Sequence, residues 1–176
     1  MNKAKVATVW LDGCSGCHMS LLDIDAAIIS LSRKIDLVYG PLVDAQEFPE
    51  GVDVVFVEGA VSSQNDLNQI QKIRSRSHVL VSFGDCAVTG NVSAMRNSVP
   101  VSKLLHRIYV DGAQEGKTTP SDRVPALLKH VRPLREFVKV DFYLPGCPPP
   151  SKAIASLLTN LLEGRKPDGG AKVKFG

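Results

Sequence analysis

Short runs of strand length, rich in β-branched residues and in several cases almost wholly apolar, recur along this chain and constrain its fold more than any other feature. They cover residues 5–11, 35–39, 52–57, 78–83 and 138–144. Strands without a polar face suit a parallel sheet covered on both sides, because neither side of such a strand meets water. The sequence therefore predicts a set of buried parallel strands.

Helical patterns lie between these runs. One apolar stripe at helical spacing consists of Leu21, Ile24, Ile28 and Leu31. A second lies within 151–164, where Ser151 is placed to cap the helix and Gly164 to end it. Weaker patterns over 66–73 and 125–131 also indicate helices. The alternation predicts an α/β fold, an open and mainly parallel sheet flanked by helices, of the flavodoxin-like kind.

The length and composition fit one domain. The chain has 176 residues, of which 44% are hydrophobic, enough for a single buried core. The longest polar segment, 111–122, is rich in glycine and turn-forming residues and is interpreted as a surface loop. We find no internal repeat and no second class of composition, so the prediction is one domain over 1–176.

The charge pattern argues against nucleic acid as a partner. Lysine and arginine total 21 against 18 acidic residues, the basic residues are scattered, and only 6% of the chain is aromatic. Apolar runs fall well short of the roughly 20 residues that cross a bilayer, which predicts no membrane span. The first residues lack the pattern of a secretory leader, which favours a cytoplasmic location.

The chemistry-bearing residues are the four cysteines: Cys14, Cys17, Cys86 and Cys147. The first two form a C-x-x-C motif after the first predicted strand, and each of the others follows another strand. Because the carboxyl ends of parallel strands share one edge of a sheet, three distant loops can bring four thiols together there. The glycines that flank the cysteines permit tight turns and a close approach of the backbone to a ligand.

Four convergent thiolates suit a [4Fe-4S] cluster, which takes one sulfur ligand per iron. Zinc accepts the same number of ligands, although zinc ribbons usually pair two C-x-x-C knuckles, and here two cysteines stand alone. A C-x-x-C redox pair leaves the other two cysteines without a role. Four buried structural cysteines are the remaining interpretation, and glycine-rich loops are an unusual place for them.

Four motifs occur in an order that resembles the small subunit of [NiFe]-hydrogenases. They are GCSGCHMS at 13–20, VEGAV at 57–61, GDCAVTGN at 84–91 and LPGCPPP at 144–150. The resemblance implies that Cys14, Cys17, Cys86 and Cys147 bind the proximal [4Fe-4S] cluster. It also implies that the nickel–iron centre lies in a partner large subunit, so that this chain transfers electrons while its partner splits dihydrogen.

The length of the chain narrows the resemblance. Periplasmic small subunits carry a twin-arginine leader and an extension for two further clusters, which are not found here. The resemblance therefore implies a short small subunit of a cytoplasmic, NAD-reducing hydrogenase, with diaphorase subunits that hold flavin and further clusters. Another multimeric hydrogenase and a quinone-reducing complex I-like assembly are alternatives, although the complex I motif begins with adjacent cysteines.

Several other residues have open roles. Glu58 ends a strongly apolar strand, where a carboxylate needs a hydrogen-bond partner or a role in handling protons. His18 and Ser20 are candidate donors to the cluster sulfurs, and His18 is equally well interpreted as a packed histidine. Asp12 and Asp85 are interpreted as turn formers and Trp10 as a core residue. Binding of FMN at the same sheet edge stays unproven.

Overall fold

The computed structural model describes residues 3–122 and 124–165. The strands within them are β1 (Ala4–Trp10), β2 (Ile35–Tyr39), β3 (Val52–Glu58), β4 (Val61–Ser63), β5 (Ser77–Phe83), β6 (Leu127–Arg132) and β7 (Phe142–Leu144). The α-helices are α1 (Gly16–Leu22), α2 (Ala27–Leu31), α3 (Gln64–Arg76), α4 (Asp85–Thr89), α5 (Val101–His106) and α6 (Ser151–Leu162). Short 3₁₀ turns cover Ser93–Ser98 and Leu134–Glu136, and a π turn covers Arg107–Asp111.

Five strands form one sheet in the order β2-β1-β3-β5-β7, and every neighbouring pair in it is parallel. Counted along the chain, this is the 2-1-3-4-5 order of flavodoxin-like sheets. The predicted fold class is therefore confirmed. A separate two-stranded antiparallel ribbon pairs β4 with β6.

The central strand β3 is buried along nearly its whole length, as a strand covered on both faces requires. One face of the sheet packs against α3, where Val55, Ile70 and Ile73 belong to one hydrophobic cluster. The opposite face packs against α6, where Phe56 and Ile154 belong to the other cluster. Two layers of helix around one sheet thus hold the ends of the strands in fixed positions.

A single domain agrees with these two clusters, which lie on the two faces of one sheet. The predicted domain also includes residues 1–2, 123 and 166–176, which lie outside the described residues. Its full extent over 1–176 stays a prediction.

The helix predicted over 125–131 is wrong, because residues 127–131 belong to β6 and the two residues before them are in neither helix nor strand. Its register pairs Leu127 with Ser63 and Arg132 with Val61 in β4. The side chain of Asn97 also bonds both the N–H and the C=O of Val131. These long-range partners outweigh an apolar spacing that suits a helix.

Two other boundaries differ from the prediction. The stripe over residues 21–31 is divided between α1 and α2, with Asp25 at a positive φ of 56° between them. The last strand of the sheet begins at Phe142 rather than at 138. The N–H of Val138 donates to the carbonyl of Leu134 in the preceding turn, and the Arg74 guanidinium donates to the carbonyl of Lys139. The surface loop predicted over 111–122 has neither helix nor strand from residue 112 onward, whereas Asp111 is the last residue of the π turn.

Candidate metal centre

The last residues of four neighbouring strands form one row at the carboxyl edge of the sheet. Trp10 pairs with Glu58, Glu58 with Phe83, and Phe83 with Leu144. The cysteine loops leave this row after β1, β5 and β7. Because β3 lies between β1 and β5, Glu58 occupies the middle of the row and lies between the cysteine loops on either side.

Cys17 lies in the first turn of α1 and is 7% exposed. A β-carbon placed on Gly84 would overlap the Cys17 sulfur, so this contact exists only because residue 84 is glycine. The φ of Gly84 is +85°, a conformation that favours glycine on backbone grounds as well. The C-x-x-C motif therefore packs directly against the loop that carries Cys86.

Hydrogen bonds join the Cys86 loop to the Cys147 loop. The Asp85 carboxylate accepts the N–H of Gly146 at 2.7 Å, and the Asp85 N–H donates to the Gly146 carbonyl at 2.9 Å. The Gly84 N–H donates to the carbonyl of Leu144 at 2.8 Å. Asp85, predicted to be a turn former, thus connects two of the three cysteine loops.

Further side-chain bonds connect the remaining loops. The Ser20 hydroxyl in α1 donates to the Pro149 carbonyl at 2.5 Å, and the Ser93 hydroxyl donates to the Asp12 carbonyl at 2.8 Å. The Asn91 amide donates to the Cys147 sulfur at 3.6 Å. The roles of Asn91 and Ser93 were not predicted from the sequence. Asn91 is the last residue of the GDCAVTGN motif, and its place in that motif is the one sequence feature that could have indicated a role at the site.

The pKa of the Cys17 thiol is raised far above its ordinary value of 9.0. Burial is the main cause, followed by the charge of Glu58 and then by the other three cysteines. Burial also raises the pKa of Cys86, and backbone hydrogen bonds from Ser93 and Val92 partly offset this.

The four thiols differ in exposure. Cys14 and Cys147 are exposed, Cys86 is partly buried and Cys17 is buried. Within residues 3–122 and 124–165, no group of three or more His, Cys, Asp or Glu side chains is close enough to hold a single metal ion. A four-iron cluster spaces its ligands more widely than one ion does, because each sulfur binds a different iron.

The buried Glu58 and the partly buried His18 form a pair next to the C-x-x-C motif. Glu58 is 1% exposed, and its Oε2 accepts the backbone N–H of His18 at 3.0 Å and also bonds the imidazole Nδ1. The Nε2 of His18 is buried without a hydrogen-bond partner. The hydrogen-bond partner that a carboxylate needs at the end of an apolar strand is therefore His18.

The prediction that Trp10 is a core residue is wrong, since its side chain is 49% exposed at the end of β1. Its indole N–H donates to the carbonyl of Gly13 at 3.1 Å, so the ring lies against the turn that precedes Cys14. Asp12 was also predicted to be a turn former, but its backbone instead forms an antiparallel bridge with Ala60.

Comparison with known proteins agrees with this geometry. Residues 14–161 match the family described as "NADH ubiquinone oxidoreductase, 20 Kd subunit". The NAD-reducing hydrogenase HoxS subunit delta of Cupriavidus necator is 37% identical over 171 residues, which cover 93% of this chain and 80% of that protein. The chain belongs to this family, as a homologue of hydrogenase small subunits. The resemblance inferred from the four motifs is thereby confirmed.

Other members of the family differ in length. A subunit of the F420-non-reducing hydrogenase of Methanocaldococcus jannaschii is 37% identical over 171 residues, 96% of this chain. This chain spans only 59% of the length of that relative.

Solved structures support the same family. A chain in the crystal structure of an NAD⁺-reducing [NiFe]-hydrogenase in the H2-reduced state has a TM-score of 0.91 and 36% identity, with 97% of both chains covered. A chain of the [NiFeSe]-hydrogenase from Dm. baculatum has a TM-score of 0.62 at 20% identity and shows a shared fold. In the part of this family member that the structure describes, no helix is long and apolar enough to span a bilayer.

Proposed function

We propose that this chain is the electron-transfer subunit of a cytoplasmic, NAD-reducing [NiFe]-hydrogenase. Its role is to hold one [4Fe-4S] cluster through Cys14, Cys17, Cys86 and Cys147. The observation that carries the proposal is that the loops after β1, β5 and β7 meet at one edge of the sheet: Cys17 packs against Gly84, and Asp85 bonds Gly146. When bound, such a cluster would transfer electrons between redox centres in the partner subunits.

The residues around the thiols fit this group. Gly84 leaves room for the Cys17 sulfur, and Asp85 connects the Cys86 loop to the Cys147 loop. Asn91 donates to the Cys147 sulfur, and Ser93 and Val92 donate to the Cys86 sulfur. Hydrogen bonds to the ligand sulfurs stabilise the reduced, more negative state of an iron–sulfur cluster.

The proposed partner is a large subunit that holds the nickel–iron centre and oxidises dihydrogen to two protons and two electrons. Two of the thiols, Cys14 and Cys147, are exposed in this chain alone. Apolar side chains are exposed nearby: Trp10 is 49%, Met19 is 58% and Leu42 is 83% exposed, and all three line a single apolar cavity. A partner surface over these residues would shield the cluster from water.

The proposed electron acceptor is NAD, reached through diaphorase subunits that carry flavin and further clusters. Similarity supports this type, because the chain is 37% identical to a subunit of an NAD-reducing hydrogenase and has a TM-score of 0.91 with the solved NAD⁺-reducing homologue. Several relatives are subunits of F420-non-reducing hydrogenases, which makes that kind of assembly the second candidate. FMN in this chain is not part of the proposal.

Metal analysis tests the cluster. We expect about four irons and four acid-labile sulfides per chain in anaerobically purified protein, with broad visible absorption that reducing agents bleach. In Cys86→Ser, iron and sulfide should fall and hydrogen-dependent reduction of NAD should stop, while Ser98→Ala, a change at an exposed hydroxyl, should keep both. Zinc without sulfide would instead support a zinc-stabilised structural module.

The partner and the acceptor need a separate test. Purification of the native assembly should recover a nickel-containing subunit and flavin-containing subunits, and hydrogen should reduce NAD in that assembly. Recovery of a membrane-bound quinone reductase without nickel would support the complex I-like alternative. A nickel-containing assembly that does not reduce NAD would support the second candidate.

A further inference from the structure

We propose that the Asn91 side chain raises the reduction potential of the cluster, through a hydrogen bond that it donates to the sulfur of Cys147. The inference rests on the proposed function, because it requires a cluster at the four cysteines. It deepens that function, since it gives a side chain outside the four ligands control over how readily the cluster accepts an electron.

The proposal starts from a direct contact with a ligand atom. Nδ2 of Asn91 donates to Sγ of Cys147 at 3.6 Å, although the two residues are 56 positions apart in the sequence. Asn91 follows α4 and Cys147 follows β7, so the bond joins two loops at the carboxyl edge of the sheet. The effect of Asn91 on the cluster therefore needs no intervening residue.

The chemistry of a ligand sulfur decides which end of the amide faces it. A thiolate bound to iron has no proton and only accepts hydrogen bonds, whereas the amide of Asn91 has a donating nitrogen and an accepting oxygen. With the oxygen towards the sulfur, two acceptors would face each other and a hydrogen bond would be lost. The arrangement with Nδ2 towards Cys147 is thus the one that suits a bound cluster.

The turn around Asn91 suits this residue type. Asn91 has a φ of +31° and follows Gly90 at +94°, and asparagine adopts such left-handed conformations more readily than most residues with a β-carbon. The Gly90 N–H donates to the Cys86 carbonyl at 2.9 Å, and the Ala94 N–H donates to the Asn91 carbonyl at 3.1 Å. The backbone that carries the amide is therefore held on both sides.

Asn91 differs in kind from the donors to Cys86. Those donors are the backbone N–H groups of Val92 and Ser93, which every residue type except proline supplies. The single hydroxyl proton of Ser93 is used in its bond to the Asp12 carbonyl at 2.8 Å. The bond from Asn91, in contrast, is a side-chain bond that substitution removes, so the residue type at position 91 affects the potential.

The sign of the effect follows from charge. Reduction adds an electron to a cluster that its thiolates already make negative, and hydrogen bonds to the sulfurs are among the features that set the potential of such a cluster. A donor bonds a more negative acceptor more strongly, so the bond from Asn91 strengthens on reduction. Asn91 therefore favours the reduced cluster.

Burial by a partner determines where the effect is measured. Asn91 and Cys147 are both exposed in this chain alone, so water competes for the donor and for the sulfur. A partner surface over the cluster would exclude that water, and a hydrogen bond is electrostatically stronger in a less polar environment. The test is therefore a redox titration of the assembled complex, followed by electron paramagnetic resonance of the reduced cluster.

Two variants remove the amide and have opposite effects on the backbone. Asn91→Gly relieves the left-handed conformation, whereas Asn91→Ala is strained in it. We expect both to keep the wild-type iron content. In both, the ratio of reduced to oxidised cluster at a fixed ambient potential should fall about fivefold, a negative shift of about 40 mV for one electron.

Asn68→Ala is the matched control. Asn68 is an exposed asparagine in α3, and its amide oxygen accepts from Gln64 at 3.0 Å. The substitution removes the same uncharged group and should leave the potential unchanged. An equal shift in this variant would overturn the inference, and so would a shift in Asn91→Gly that is absent from Asn91→Ala, because it would come from the backbone.

Resonance Raman spectroscopy gives a readout that a merely structural role would not move. A hydrogen bond to a ligand sulfur weakens its bond to iron, so loss of the Asn91 donor should shift an iron–sulfur stretching band to higher frequency. The bands of Asn68→Ala should match those of the wild type. Iron-loaded Asn91 variants with the wild-type potential and the wild-type bands would overturn the inference.

Iron analysis separates this inference from the proposed function. Wild-type protein without iron would overturn the proposed function together with the inference that rests on it. Iron in the wild type but in neither Asn91 variant would mean that Asn91 is needed to hold the cluster and not to adjust its potential, and it would overturn the inference alone.

Discussion

The Cys17 sulfur lies against the α-carbon of Gly84, in the space where any other residue type carries its β-carbon. Through this contact the first helix is seated on the loop after β5, although 66 residues separate the two along the chain. The spacing between the C-x-x-C motif and Cys86 is thereby set by direct packing.

Replacement of Gly84 by alanine is expected to disrupt the site. The new methyl group would overlap the Cys17 sulfur, and a φ of +85° disfavours any residue with a β-carbon. Strain and overpacking together should lower the free energy of unfolding by about 3 kcal/mol. Urea denaturation of metal-free protein measures this change, and iron analysis should show less than half of the wild-type content.

Gly51→Ala is the control for backbone strain alone. Gly51 has a φ of +67°, but a β-carbon there would meet no atom within 4 Å. We expect a loss of about 1 kcal/mol and normal iron content. Equal effects of the two substitutions would show that the Gly84–Cys17 contact has no special importance.

Replacement of Asp85 should separate two cysteine loops. Asp85→Ala removes the acceptor of the Gly146 N–H and leaves a partly buried donor unpaired, at a loss of about 1–2 kcal/mol. Asp85→Asn keeps a carbonyl oxygen in place and should retain most of the stability. We expect iron to be lost to a chelator several-fold faster from the alanine variant, and equal rates would contradict a role in holding the loops.

The thiols of metal-free protein should react in an order set by their surroundings. Cys14 and Cys147 are exposed and should be alkylated first, whereas the pKa of Cys17 is raised by burial and by Glu58, so it should react last. Mass spectrometry of protein partially alkylated at about pH 8 gives the order. Early modification of Cys17 would contradict the packing described.

The sign of the Cys17 shift also predicts an alkaline effect. Because its pKa is higher in the folded than in the unfolded chain, the stability linked to the thiol is complete below the ordinary pKa of 9.0 and is lost as pH rises above it. Metal-free protein should therefore be less stable at about pH 10 than at about pH 8. Cys17→Ala should reduce this difference.

An acid-sensitive ion pair fixes the start of β7. Burial opposes ionisation of Asp141, but the Leu80 N–H at 2.8 Å and the Arg74 guanidinium outweigh it and lower the pKa of this carboxyl. Asp141→Asn should reduce the free energy of unfolding at neutral pH by about 1–2 kcal/mol. Because the folded pKa is depressed, the difference from wild type should narrow as pH falls below about 4.

An exposed ion pair provides the comparison for Asp141. Glu47 contacts Lys72, but its side chain is 78% exposed, so Glu47→Gln should leave the unfolding curve essentially unchanged. Urea denaturation at about pH 7 and at about pH 3 measures both variants. A constant difference between Asp141→Asn and wild type at the two pH values would contradict the proposed ion pair.

The buried strands were predictable because their apolar runs have no polar face. The position of the cysteines was predictable for the same reason, since each loop follows such a run. The strand β6 was not, because its apolar spacing also suits a helix and its partners in β4 lie more than 60 residues away. The order of the strands in the sheet could not be predicted from the sequence either, although this order decides which cysteine loops lie next to each other.

In the site, too, some features could be predicted from the sequence and others depend on how distant segments pack. Gly84 could be recognised in the sequence as part of the Cys86 motif, but its contact with Cys17 depends on how α1 packs. Glu58 was recognisable as a carboxylate at the end of an apolar strand, whereas its bond to His18 joins residues 40 positions apart. Trp10 was assigned to the core from its residue type, but its strand ends at the rim of the sheet.

The loops that carry the thiols leave strands from both sides of β3, and the last of them follows β7 at the far edge of the sheet. No segment of the chain that ends before β7 contains all four cysteines of the proposed cluster site. If these cysteines bind one cluster as proposed, iron delivery during synthesis on the ribosome would have to wait until Cys147 has emerged and β7 has joined the sheet. Cluster insertion would then be coupled to the completion of folding, and a product truncated before β7 would not be expected to retain the metal.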